Sequence, residues 1–144
     1  MRYLVLILLM GCASHSYKRV VHSETFNPYI KKFQDDYRRV TGKTIEVTTP
    51  IMFWWVKHSM GVNAYCELNQ RYIIVDKPMW DGMDETEREM VIYHELGHCT
   101  SLNRMHDDTR LPSGIKKSLM HTYMFHKDIY RANREHYLKE LFNE

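Results

Sequence analysis

Residues 84–102 read DETEREMVIYHELGHCTSL, and this stretch decides the fold because both ends of a helix are written into it. Asp84 is a helix-capping residue, and Glu87 stands three places on, the spacing of a capping box. The acids at 85, 87 and 89 suit the positive end of a helix. The run continues through His94 and His98 to about Leu102, where Asn103 offers a left-handed stop, second only to glycine in that role.

Upstream, Asn27 as cap and Pro28 at the first position predict another helix over 28–41. Ile30, Phe33, Tyr37 and Val40 recur at helical spacing along it, and Gly42 ends it. Thr44 to Thr49 is β-rich, Pro50 breaks it, and Ile51 to Lys57 reads as a second, more buried strand. Ala64 to Leu68 and Arg71 to Val75 flank Asn69-Gln70 and predict a hairpin. Asp76 to Gly82 reads as loop. Downstream, 104–130 is irregular, and Arg131 to Phe142 forms an amphipathic helix with Tyr137, Leu138, Leu141 and Phe142 inward. There are no internal repeats, and the reading is one α+β domain over 26–144.

The chain of 144 residues is 44% hydrophobic and 12% aromatic. That is enough for a single core and too aromatic for intrinsic disorder. Twenty basic against eighteen acidic side chains leave +2, with no basic stripe, so nucleic acid is not the expected partner. No apolar run approaches the roughly 20 residues of a membrane span. The first eleven residues, Met1-Arg2 followed by apolar Tyr3 to Met10 and Gly11, have the layout of a secretory signal. Leu9-Met10-Gly11-Cys12 resembles the bacterial lipobox. That resemblance implies lipidation at Cys12, a tether over 12–25 and a place in the bacterial cell envelope, with Ala13 favouring the outer membrane. Cys66 and Cys99 would then share a disulfide-permissive compartment, and their spacing leaves a bridge and two buried thiols equally open.

The chemistry sits in His94-Glu95-Leu96-Gly97-His98. Histidines four apart share one helix face, so both rings can reach one ion. Glu95 can reach a water in the ion's open position, and bound Zn²⁺ brings such a water near pKa 7. A catalytic zinc wants a third protein ligand. His106 is the first candidate, since Asn103 to His106 lets the chain turn back after the helix. Asp107 or Asp108 comes next, and a distant Glu135 or Glu140 third. Cys99 points roughly 100° away from its neighbour His98, which argues against a fourth, structural ligand.

With these residues the chain resembles the metzincin zinc peptidases, whose pattern is HExxHxxGxxH followed by a methionine turn. His94, Glu95 and His98 match. The pattern's glycine falls on Ser101 and its last histidine on Arg104. The match returns two residues on, with Asn103 in the glycine's place and His106 as ligand. Two extra helical residues rotate the exit by about 200° and lengthen it by ~3 Å, so the ligand geometry differs from the family's. Ser118-Leu119-Met120-His121 resembles the methionine turn, which implies Met120 as an apolar floor under the metal. Tyr123, or His121, would be a zinc ligand or oxyanion stabiliser. The resemblance further implies a small mixed-sheet domain with an N-terminal helix, an active-site helix and a C-terminal helix, and an edge strand at Ala64 to Leu68 that binds substrate. HELGHC with SLMH is also similar to small bacterial metallopeptidase lipoproteins of the Bacteroidetes type.

Two functions are open at this point: a zinc peptidase acting on proteins or peptides, and a zinc-containing binding module without turnover. Glu95 separates them, because metal binding does not need it. Trp80 and one of Trp54 and Trp55 read as core, and His15, His22, His126 and His136 as solvated. Loops 57–63 and 107–117, which would set substrate choice, carry no motif.

Overall fold

The computed structural model describes residues 23–54 and 63–142. Within them a short 3-10 turn, Glu24–Phe26, leads into α1, Asn27–Thr41. The remaining elements are β1 (Ile51–Trp54), β2 (Ala64–Glu67), β3 (Tyr72–Asp76), α2 (Lys77–Gly82), α3 (Glu85–Cys99) and α4 (Lys127–Phe142). The sheet is mixed, in the order β1-β3-β2. β1 runs parallel to β3 with Ile51 opposite Ile73, and β2 runs antiparallel with Ala64 opposite Val75. This is a small α+β domain. Central β3 buries Ile73 and Val75 completely, and α3 packs across β2 and β3 on one side and against α1 and α4 on the other.

The helix ends follow local chemistry. Asp84 and Glu87 form the expected capping box on α3, with Asp84 accepting from the Thr86 and Glu87 amides and Glu87 from the Asp84 amide. α3 stops at Cys99, three residues before the expected Leu102. Asn103 does take the left-handed conformation, φ 45, but in the turn beyond the helix. Gly42 closes α1 at φ 72, its N–H on the Arg38 carbonyl. α1 is capped by Phe26 and not by Asn27, because the 3-10 turn already carries the chain into helical dihedrals. Ser23, placed by the sequence in the tether, donates its N–H to Ile51 O at 2.9 Å.

Three other expectations change. Thr44 to Thr49 makes no strand; it is held by side-chain hydrogen bonds instead, Gln34 donating to Ile45 O and the Thr49 hydroxyl donating to Cys99 O. Asp76 to Gly82 is mostly helix and not loop, because Asp76 accepts the Met79 amide at 2.8 Å and Pro78 sits in the first turn. α4 starts four residues earlier than expected and carries a non-helical residue at Asn133. The hairpin forms as expected, although Arg71 and not Asn69-Gln70 supplies its left-handed residue, φ 54. Trp80 is in the core and Trp54 is 44% exposed; Trp55 lies outside the described residues. Cys66 and Cys99 form a disulfide, tying β2 to the end of α3.

Candidate metal centre

α3 is buried almost all round, with ten of its fifteen residues shielded from solvent. His94 and His98 lie one turn apart on its cleft side. After Cys99 the chain reverses, with the Arg104 N–H on Gly97 O and Asn103 in its left-handed turn, and this brings His106 back over the helix. The three Nε2 atoms form a near-equilateral triangle: 3.2 Å from His94 to His98, 3.1 Å from His98 to His106 and 3.3 Å from His106 to His94. Zinc–nitrogen bonds of about 2.0–2.1 Å in tetrahedral geometry require edges of about 3.3–3.4 Å. The donor set and its spacing fit a metal ion.

The second nitrogens fix the tautomers. His94 Nδ1 meets Leu119 O at 2.9 Å and His98 Nδ1 meets Arg104 O at 2.7 Å. Each carbonyl accepts an N–H, which leaves the Nε2 lone pairs turned inward, the usual outer support of a metal-binding imidazole. Burial pushes His94 down to about 4 and lowers His98 as well, so both rings are held in the neutral, ligating form.

Glu95 lines the same cleft, 7% exposed. Burial raises its carboxyl to about 8, only partly offset by the Cys66 backbone N–H. A buried acid without a counter-charge beside three convergent imidazoles marks a place prepared for chemistry. The cleft encloses about 650 Å³ and is bounded by β2 on one side and by residues 121–124 on the other.

Met120 is fully buried beneath α3. A Cβ at Gly97 would lie 2.6 Å from Met120 Sδ and 3.1 Å from Leu141 Cδ1, so only glycine lets the methionine seat between the two ligand turns. The Ser118 hydroxyl donates to Glu140 at 2.6 Å and accepts the Met120 amide at 2.9 Å. Arg104 pairs with the same carboxylate at 2.9 Å. Glu140, the distant ligand candidate, is therefore the post that holds the Ser118–Met120 turn to α4, and Glu135 pairs with Arg39 at the surface. Sequence reasoning missed this Ser118–Glu140–Arg104 link, which joins residues up to 36 positions apart and leaves no local pattern.

The acids beside His106 are engaged in holding the loop. Asp107 accepts from the Thr109 amide and hydroxyl, which hold it down at about 2. Asp108 accepts from both groups of Thr122. Tyr123 borders the cleft but is 73% exposed, whereas His121 is 8% exposed. His126 is exposed, and His136 meets Lys117 O at 2.8 Å at the surface. His15 and His22, like Cys12, lie outside the described residues.

A helix presenting two imidazoles and a buried acid to a third histidine, inside a small α+β domain, defines a metal-site protein of the His-Glu-x-x-His class. Residues 12–135 match the family described as "Putative phage metallopeptidase", and the chain belongs to that family. No curated protein and no solved structure matches it.

Proposed function

We propose that the protein is a zinc-dependent endopeptidase of metzincin type, acting at the bacterial cell envelope. His94, His98 and His106 would hold the metal, and Glu95 would be the general base. The observation that carries this reading is the convergence of three Nε2 atoms within 3.3 Å of one another beside a buried, uncompensated carboxylate. A bound zinc would supply the Lewis acid and the positive charge that favours Glu95 in its ionised form. Glu95 takes a proton from the attacking water at its carboxylate oxygen. It then passes that proton to the nitrogen of the leaving amine, acting as base and acid in turn. The Cys66 amide keeps the carboxylate in place, and the Leu119 and Arg104 carbonyls keep the two helix imidazoles from turning away.

The metzincin type is supported by Met120 beneath the ligand turns and by the chain reversal at Asn103, although His106 arrives two residues later than that pattern has it. β2 borders the cleft and ends the sheet order, so an extended peptide added beside it would pass the histidines. Anchoring through a lipid on Cys12 rests on Leu9-Met10-Gly11-Cys12. Two acyl chains or more would hold the domain at a membrane, each methylene contributing about 0.8 kcal/mol.

The test is metal analysis with cleavage of a broad peptide library by the full chain, comparing wild type, Glu95→Gln and His106→Ala. Wild type and Glu95→Gln should both carry zinc and only wild type should cut, while His106→Ala should lose metal. Zinc without cleavage in wild type would make the protein a binding module. Full occupancy and activity in His106→Ala would remove that residue from the ligand set.

A further inference from the structure

Building on the peptidase reading, we propose that His121, and not Tyr123, is the catalytic hydrogen-bond donor to the scissile carbonyl oxygen as that oxygen gains charge, with Asp108 as its positioning residue. The His121 ring lines the same cleft as His94, Glu95, His98 and His106 while being almost wholly buried. Its Nδ1 has two neighbours, the Tyr123 backbone N–H at 3.1 Å and Asp108 Oδ1 at 3.1 Å. A neutral ring that accepts the Tyr123 N–H at Nδ1 carries its one hydrogen on Nε2. A charged ring carries hydrogens on both nitrogens and turns Nδ1–H to Asp108. In both of these states Nε2 bears a hydrogen and the ring is a donor on that side, and only a neutral ring donating Nδ1–H to Asp108 would leave Nε2 bare. Every fully buried side-chain nitrogen and oxygen among the described residues has a partner. Nε2 has no acceptor among the described protein groups, so it is reachable by solvent, and the residue lines the cleft.

The donor is held in place before any substrate arrives. Asp108 accepts the Thr122 amide at 2.8 Å and the Thr122 hydroxyl at 2.9 Å, fixing the residue next to His121. Lys116 holds the Tyr123 carbonyl at 2.6 Å on the other side. Leu119, two residues before His121, is tied to the ligand His94 through its carbonyl. Fixed donors aimed where charge develops need no reorganisation during the reaction. The Tyr123 phenol, exposed at 73%, would first have to be ordered, at a cost in side-chain entropy. No bond to His121 forms or breaks; the hydrogen bond strengthens as the carbonyl oxygen becomes negative.

The test uses zinc-loaded full-length protein titrated with a phosphinic dipeptide bearing a phenylalanine side chain, whose tetrahedral phosphinate carries the oxyanion charge, and with the parent peptide amide. His121→Ala should weaken phosphinate binding by roughly 100-fold and the parent peptide by no more than about threefold, the selectivity expected of one oxyanion donor. Added imidazole should restore part of the loss. Asp108→Asn, which keeps an acceptor beside Nδ1, should lose about tenfold, again for the phosphinate alone. Nitrogen-15 spectra of the unaltered protein at neutral pH should show His121 as the Nε2–H tautomer. An Nδ1–H tautomer overturns the proposal, as does equal phosphinate binding by His121→Ala, a larger loss in Tyr123→Phe, or no phosphinate binding by wild type. A wild type that cuts no peptide yet binds the phosphinate in a His121-dependent way defeats the peptidase reading and leaves the donor assignment standing.

Discussion

Glu89 and Glu95 sit six residues apart on one helix, 5% and 7% exposed, yet they do opposite work. Glu89 faces α1 and α4, where it accepts from the Tyr130 hydroxyl at 2.8 Å, from Arg134 Nε at 2.6 Å and from Lys32. Arg134 also reaches Asp36, which accepts from the Tyr93 hydroxyl at 2.7 Å. Glu95 faces the cleft, has the Cys66 amide and no cation among the described protein groups, and is raised to about 8 by burial. Burial is the same; the partners differ. A buried carboxylate with its hydrogen bonds and counter-charges complete ties elements together. One left short of them is unfavourable to the fold and available for proton transfer.

Replacing each acid in turn gives the sharpest contrast. Glu95→Gln should abolish cleavage, by about 10³-fold or more in kcat/KM, with metal content and midpoint of unfolding retained; peptide assays, elemental analysis and thermal denaturation measure these. Glu89→Ala should do the reverse. It leaves Arg134 and Lys32 short of a partner and should cost about 3 kcal/mol in chemical denaturation, in the range for breaking a buried pair. A larger loss of stability from the first than from the second would break the comparison.

Gly97→Ala probes the floor between the two faces. It should cost about 1–3 kcal/mol by crowding Met120. Combined with Met120→Ala it should cost less than the sum, because the clash then has no partner, and a double-mutant cycle reads that difference. The smallest effect is the pH dependence of the metal-free chain. Below 6.5 the unfolded state protonates its histidines while folded His94 stays neutral to about 4, so His94 contributes stability that is lost as pH falls through that window. Glu95 has the opposite sign. Its folded value of about 8 lies above the ordinary 4.5, so it contributes stability below 4.5 that is lost as pH rises through 8. Stability should therefore decline between pH 6.5 and 8 in wild type and stay level there in Glu95→Gln.

What could be read from the residues was what chemistry writes locally. The Asp84–Glu87 box fixed the start of α3, the four-residue histidine spacing its cleft face, and the Asn103 turn the return of His106 to the other two rings. α2 was legible and missed: Asp76 and Pro78 repeat the cap-and-proline logic of Asn27 and Pro28, but the helix is six residues long and lacks a repeating apolar stripe. Thr44 to Thr49 has strand composition yet joins no strand among the described residues, and central β3 already has β1 and β2 on its two sides. The long-range links could not be settled from spacing. Glu140 under the Ser118–Met120 turn, Arg71 donating to His98 O at 3.0 Å and Cys66 against Cys99 depend on how elements meet, and spacing carries no record of that.

The Cys66–Cys99 bond joins the strand that supplies the Glu95 contact to the helix end next to His98. Closing a loop of 33 residues restricts the unfolded chain enough to add about 3–4 kcal/mol. Without that crosslink the β2 wall of the cleft would be held to α3 by packing and hydrogen bonds alone.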